Sequence, residues 1–253
     1  MDVSIVIVSW NVEMLLKKCL ESVIAHTSGV SYELIVVDNA STDGTHEMVR
    51  SFKSVVLIQN TKNKGFAAAN NQGIAIAKGR HVLLLNPDTA YIENSIAQIL
   101  EFTNTHERAG VIGCQLKNND YSIQPSVRRF PRVVDLVVIL LKLHKIFPSL
   151  LNRYMCASFN YEQPARVDQV MGAFFFITEQ ALKQAGGLED RYFIWFEEVD
   201  YCRRVARAGF EIWYTPTTSV IHYGGQSFMQ QTTIKKQWWF FRSALRYLRS
   251  GNA

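Results

Sequence analysis

The sequence predicts an α/β fold built on a mostly parallel, twisted sheet with flanking helices. Three observations predict it. Five apolar, β-rich stretches (residues 3–9, 34–37, 55–58, 82–85 and 110–114) alternate with helical stretches. The first of these is apolar on both faces, as a strand in the middle of a parallel sheet must be. Three of the segments that follow strands are polar: Ser9-Trp10-Asn11, Asp38-Asn39-Ala40-Ser41-Thr42-Asp43-Gly44 and Asn86-Pro87-Asp88-Thr89. Open α/β sheets bind ligands at the carboxyl ends of their strands, so these segments share one functional edge.

The helices follow in order. Asn11 is placed to cap the first, whose inner stripe is Leu15, Leu16, Cys19, Leu20 and Val23. A short helix starts near Gly44. Residues 67–77 form a third, closed by Gly79, and residues 93–102 a fourth. The pattern changes after about residue 115. Residues 118–131 are polar and turn-rich, and 133–151 read as one very apolar helix. Residues 171–177 read as a buried strand, and Thr178 caps a helix ending at Gly186-Gly187. A helix over 197–208 stops at Gly209. Short strands at 211–214 and 219–222 precede a basic, aromatic helix over 234–249. The chain divides into an α/β half (1–115), a second half of the same domain (116–230), and the C-terminal helix (231–253).

Composition narrows the class. The chain has 253 residues, 48% hydrophobic and 19% charged, enough for a core that needs no staples. Its net charge of +5 suits a phosphate-rich substrate or an anionic lipid surface. Its cations gather late, from Arg128 to Arg249, with no nucleic-acid-binding motif, so no nucleic-acid partner is expected. Cys19, Cys114, Cys156 and Cys202 form no C-x-x-C pair and read as buried free thiols in a reducing compartment. No basic segment precedes the first strand, so no signal peptide is expected. The longest apolar run, 133–143, is broken by Asp135 and Lys142 and is too short to span a bilayer.

Several residues carry candidate chemistry. Asp38 can accept from the imide N–H of a pyrimidine base, or simply start an Asx turn. Asp88 can reach a hard cation, unless Asn86-Pro87-Asp88 is only a turn. Glu197, Glu198 and Asp200 open a helix, where the macrodipole favours acids whatever their use. Glu198 lies on a stripe with Cys202 and Val205, partly sheltered from water, as a general base should be. His222 ends a strand before Gly224-Gly225 and is either structural or a ligand better suited to manganese than magnesium. Residues 65–73 are glycine-containing but match neither G-x-G-x-x-G nor a Walker loop, which excludes a dinucleotide or ATP fold.

These segments together resemble family 2 glycosyltransferases with the GT-A fold, a Rossmann-like sheet, and most closely a rhamnosyltransferase-like branch. The resembling pieces are Ile5-Val6-Ile7-Val8-Ser9-Trp10-Asn11, Val36-Val37-Asp38-Asn39-Ala40-Ser41-Thr42-Asp43-Gly44-Thr45, Asn63-Lys64-Gly65-Phe66-Ala67, Leu84-Leu85-Asn86-Pro87-Asp88 and Tyr192-Phe193-Ile194-Trp195-Phe196-Glu197-Glu198-Val199-Asp200.

The resemblance implies a donor site at Ser9, Asn11, Asp38, Asn39, Lys64, Gly65 and Asn86. It implies a divalent metal (Mn2+ or Mg2+) on Asp88 and His222, with Asn86 in place of the first acid of a D-x-D motif. It makes Glu198 the base, with Glu197 the fallback. Arg128 and Arg129, in a segment like one at the family's active-site mouth, could hold an acceptor diphosphate, and Gly172 and Ala173 line an acceptor pocket. The implied donor is a nucleoside diphosphate sugar, dTDP-rhamnose or a UDP-sugar. The implied acceptor is a saccharide, free or on a polyprenyl diphosphate, in cell-surface polysaccharide synthesis. The basic aromatic helix and the apolar 133–143 run suggest peripheral contact with an anionic membrane at the inner face of a bacterial cell. A non-catalytic nucleotide-binding scaffold is the rival, raised by Asn86 and Glu198. A nucleotidyltransferase would need a loop rich in glycine and basic residues after the first strand, which Ser9-Trp10-Asn11 does not supply.

Overall fold

A computed structural model describes residues 1–224 and the helix over 233–250, with side chains of 233 and 234 left aside. Gly225, and the ends of the expected C-terminal segment at 231–232 and 251–253, lie outside the described residues.

The amino-terminal half is a run of strand–helix units: β1 (Val3–Ser9), α1 (Glu13–His26), β2 (Tyr32–Asp38), α2 (Thr45–Arg50), β3 (Val55–Gln59), α3 (Phe66–Ile76) and β4 (His81–Leu85). A short β5 (Thr89–Tyr91), α4 (Ser95–Thr105) and β6 (Ala109–Lys117) follow. Then come β7 (Ile123–Gln124), β8 (Val127–Arg128), α5 (Val133–Leu140), β9 (Ala165–Arg166), β10 (Gln169–Val170) and β11 (Phe174–Ile177). The chain ends with α6 (Glu179–Ala185), α7 (Glu197–Arg207), β12 (Glu211–His222) and α8 (Thr233–Ser250).

The main sheet runs β3-β2-β1-β4-β11-β6-β12-β5. Strands β3, β2, β1 and β4 are parallel, and so are β6 and β12. β11 enters between β4 and β6 antiparallel to both, so both halves of the chain build one mixed sheet. Burial on both faces explains the unalternating sequence: all seven β1 residues are buried. One core packs β1, β2 and β4 against α1 and α4; the other packs their opposite faces against α3, α6 and α7.

Local details differ from expectation. The single helix expected over 133–151 ends at Leu140, because Lys142 turns left-handed (φ 57°) and Pro148 starts a separate 3-10 turn. The strands expected at 211–214 and 219–222 are one bulged strand, β12. The buried strand expected from 171 starts at Phe174. Helix α3 stops at Ile76, before Gly79. Asn11 is not a cap: α1 starts after Val12 with no side-chain cap bond. Asp43 serves instead, accepting from the Glu13 N–H at 3.1 Å and the Thr45 hydroxyl at 2.5 Å. Burial opposes its charge, but the Thr45 and Glu13 hydrogen bonds prevail and hold the carboxyl below the usual range.

Gly65 joins the two halves. Its φ is +87°, and a Cβ there would lie 2.6 Å from the Phe193 carbonyl oxygen. The next residue, Phe66, donates its N–H to that same oxygen at 2.8 Å. Gly209 has the same φ of +87° but open space around it. Gly65→Ala is expected to cost about 1–3 kcal/mol beyond Gly209→Ala. That gap should appear as roughly 5 °C between their thermal unfolding midpoints; equal midpoints would show the Phe193 contact to be dispensable.

Candidate active site

Parallel register aligns the polar loops. Ser9 is level with Asp38, and Ile7 with Leu85, so the chain leaves β1, β2 and β4 side by side. Ser9 and Asp38 are fully buried. Asp38 Oδ1 accepts from the Ser41 N–H at 3.1 Å, which is the turn the sequence allowed. Its Oδ2 has no partner, and neither has the Ser9 hydroxyl. Buried polar atoms without partners cost roughly 1–3 kcal/mol each, and a bound ligand or water is what can satisfy them.

The other donor-side residues divide between loop structure and free polar groups. Asn39 is buried and fully engaged: its amide donates to Asn63 Oδ1 and the Gly65 carbonyl and accepts from the Lys64 N–H and Asn60. Asn11, left-handed at φ 51°, accepts from the Thr42 N–H at 2.7 Å and ties the first loop to the second. Lys64 leaves its side chain exposed beside this lattice. Asn86 donates its N–H to the Ala173 carbonyl at 3.0 Å, bringing the start of β11 to the same edge.

Asp88 and His222 meet because β5 pairs with the end of β12, with His222 opposite Thr89. Both are buried, and His222 Nε2 lies 3.4 Å from Asp88 Oδ1. His222 Nδ1 is 2.7 Å from Gln124 Oε1, an acceptor whose amide nitrogen is directed to Asn118 Oδ1. Nδ1 is therefore the donor to Gln124, and Nε2 faces Asp88 with no hydrogen-bond partner; in the neutral ring it is Nε2 that holds the lone pair. That tautomer is the one a metal ligand needs. One carboxylate oxygen and one imidazole nitrogen fit a manganese-type ion whose remaining ligands come from substrate or water. Among the described residues no group of three His, Cys, Asp or Glu side chains forms a closed cage.

Glu197 and Glu198 open α7 behind two successive left-handed aromatics, Trp195 (φ 64°) and Phe196 (φ 71°). Bulky residues rarely adopt that conformation, and such strain concentrates at functional sites. Glu197 is only 4% exposed, with Oε2 unpartnered. Burial, then the neighbouring Glu198 charge, pushes its carboxyl well above the usual range. Burial also raises Glu198. Glu198 keeps partial access to solvent, and its stem lies 3.9 Å from where a Gly172 Cβ would sit. A Cβ at position 172 would therefore make only ordinary van der Waals contact with that stem.

Arg128 and Arg129 line a cavity of about 410 Å3 with Arg153, Arg166 and Asp168. Arg128 donates to the Val127 and Pro125 carbonyls, and Arg129 pairs with Asp168 at 3.6 Å. A larger cavity of about 750 Å3, lined by Asp2, Arg80 and His81, lies at the opposite, amino-terminal edge, away from every candidate residue. Gln124 and Asp43 are the residues that sequence reasoning gave no such role; the partner of Gln124 is 98 positions away.

Known structures share this architecture. TarS from S. aureus matches with a TM-score of 0.60 and 14% identity, covering 90% of this chain and 62% of that one. The mannosyltransferase PcManGT from Pyrobaculum calidifontis, solved with GDP-Man and Mn2+, matches with a TM-score of 0.61 and 17% identity, covering 87% and 56%. The fold is the GT-A glycosyltransferase fold. The sequence pattern of Glycosyl transferase family 2 matches residues 4–157, and the chain belongs to that family. It is 27% identical over 211 residues to the N-acetylglucosaminyl-diphospho-decaprenol L-rhamnosyltransferase of Mycobacterium tuberculosis, covering 77% of this chain and 67% of the relative. It is 26% identical over 257 residues to rhamnosyltransferase WbbL of Escherichia coli K12, covering 97% and 92%.

The buried Glu197 makes a pH-dependent prediction. A carboxyl raised in the folded state keeps its proton where the unfolded chain has lost it, so stability falls as pH rises above about 4.5. Glu197→Gln removes that loss. The stability of the variant relative to the parent is expected to rise from pH 4.5 to 7 in chemical denaturation; a flat difference would show that Glu197 is not held protonated.

Proposed function

We propose that this protein is an inverting, divalent-metal-dependent hexosyltransferase that moves rhamnose, or a related sugar, from a dTDP- or UDP-activated donor to a lipid-linked saccharide. The observation that carries the reading is the pair of buried, unpartnered acceptors on one sheet edge: Asp38 Oδ2, and His222 Nε2 beside Asp88. The names of the two rhamnosyltransferase relatives support the sugar and the acceptor class.

In this reading Asp38 Oδ2 takes the imide N–H of the base, with the buried Ser9 hydroxyl beside it. The 60–65 loop, fixed by Asn39, presents Lys64 to donor phosphates. Asp88 and His222 hold the cation, which when bound offsets charge on the leaving diphosphate. Glu198 takes the proton of the acceptor hydroxyl. That oxygen bonds to the anomeric carbon as the bond to the diphosphate breaks on the opposite face, which inverts the centre. Glu198 suits this role better than Glu197 because it is reachable, while burial makes it a stronger base than a free carboxylate. Arg128 and Arg129, beside the cavity, are placed to meet an acceptor diphosphate.

Glu198→Gln is expected to bind donor nucleotide as the parent does but to lose at least about a hundredfold in transfer or donor hydrolysis. Undiminished turnover would assign the base elsewhere. Gln124→Leu frees the His222 tautomer, and the Mn2+ concentration that half-maximally enhances nucleotide binding is expected to rise about 10–100-fold. Asp88→Ala should abolish that enhancement; enhancement retained in Asp88→Ala would remove the cation from this site.

A further inference from the structure

We propose that the face formed by α5, residues 141–155 and α8 docks on an anionic lipid bilayer, with its apolar side chains entering the interface and its cations meeting the headgroups. The inference is independent of the transfer reaction, since it rests on surface chemistry away from the donor edge.

Among the described residues, most of the exposed large apolar side chains lie here. On α5 and just beyond it they are Val133, Val134, Val137 and Leu141. Ile146, 71% exposed, and Phe147 lie between two 3-10 turns, Leu143–Lys145 and Pro148–Leu151, and Leu150 lies on the second. On α8 they are Trp238, 57% exposed, Phe241 and Leu245. Spacings of three and four place these last three on one face of the helix. The opposite face, with Ser243, Ala244 and Tyr247, is buried against the domain, and Ser243 donates to the Ile194 carbonyl at 2.9 Å. The three pieces adjoin: Leu136 of α5 shares an apolar cluster with Ala244 and Tyr247, and both 3-10 turns pack on α5. Single exposed apolar residues are normal, but a contiguous set of this kind marks an interaction surface.

Charge selects the partner. Residues 132–155 carry Arg132, Lys142, Lys145 and Arg153 but one carboxylate, Asp135, which is buried and accepts from the Arg132 N–H at 2.8 Å. α8 carries Lys235, Lys236, Arg242, Arg246 and Arg249 and no carboxylate. The remainder of the chain holds more acids than bases, so the positive charge of the molecule is concentrated on this face. Arg132, Lys142, Lys145, Arg242 and Arg249 have no carboxylate within ion-pair distance among the described residues. A second copy of the same face would oppose cation to cation, which disfavours self-association. Apolar residues ringed by unpaired cations fit a negatively charged lipid surface. Among the described residues no helix is long and apolar enough to cross a membrane, so the contact is one of lying on the surface.

The test uses the full chain and sedimentation with vesicles, without substrate. Binding to phosphatidylcholine vesicles holding about 30 mol% phosphatidylglycerol is expected to exceed binding to phosphatidylcholine alone at least about tenfold, and to weaken as salt rises. The triple variant Lys142→Glu, Lys145→Glu, Arg242→Glu and, separately, the pair Leu141→Ser, Trp238→Ser should each lose that preference at least about tenfold. Both alter exposed positions, and unchanged unfolding midpoints would exclude misfolding as the cause. Equal binding to both vesicle types, or variants that bind like the parent, would overturn the proposal. So would a parent that is dimeric in solution and becomes monomeric with Leu141→Ser, Trp238→Ser. Nucleotide-sugar turnover measured on the same samples reports on the transfer reading separately.

Discussion

The parallel register that fixes β1 between β2 and β4 is the constraint on which the site depends. Because Ser9 is level with Asp38 and Ile7 with Leu85, three loops are delivered to one edge without long excursions. Local polar ties then hold those loops still. The Asn39 N–H bonds the Ser9 carbonyl at 2.8 Å and the Asn60 N–H bonds the Asp38 carbonyl at 2.9 Å, extending the ladder past the strand ends. The side chains of Asn11, Asn39, Asn60 and Asn63 knit the loops to one another. This spends polar groups on structure so that a few others, Asp38 Oδ2 and the Ser9 hydroxyl, stay free inside the protein. A pre-set edge of this kind needs little reorganisation when a ligand arrives.

The second half of the chain is joined to that edge by backbone as well as by side chains. Asn86 bonds the Ala173 carbonyl and Phe66 bonds the Phe193 carbonyl, so the glutamate-bearing turn is indexed against the donor loops. The join carries a cost. Two aromatic residues are held left-handed, and a buried glutamate sits beside a half-buried one at the start of α7. Two neighbouring carboxyls sheltered from water resist ionising together, so stability alone would not select this arrangement. A base of raised proton affinity is what it offers in return.

How much of this was legible in the sequence depended on range. The strands of the first half, and the loops carrying Asp38 and Asp88, follow from local composition and were readable to within a few residues. The insertion of β11 between β4 and β6 depends on pairing partners far apart in sequence, and no local pattern encodes its direction. The three-residue β5 was too short to leave a signal, yet it sets His222 beside Asp88. Asn11 has the right chemistry for a cap, but its side chain is captured by Thr42 of the neighbouring loop, and Asp43 takes the capping role from another element. The apolar run at 133–151 gave helical composition but concealed the break at Lys142. Gln124 was visible only as part of a basic loop, since its role depends on a histidine brought to it by the sheet.

The turn that carries Glu198 also rests on α8. Phe196, whose left-handed backbone starts α7, packs its ring 5.4 Å from both Phe240 and Tyr247. Arg203 lies 4.0 Å above the Tyr247 ring and donates to the Tyr247 carbonyl and the Ser250 hydroxyl, the last at 2.6 Å. Its other neighbour is Asp200, at 3.3 Å, one helical turn from Glu197. Strain at Trp195 and Phe196 can persist only where packing over-determines it, and these contacts are what α8 supplies. The helix therefore has two faces with separate duties. The inner one holds the glutamate turn in its strained form, while the outer one presents aromatic and basic side chains to the surroundings. Removing α8 would relax the turn even though no residue of the helix belongs to the donor edge.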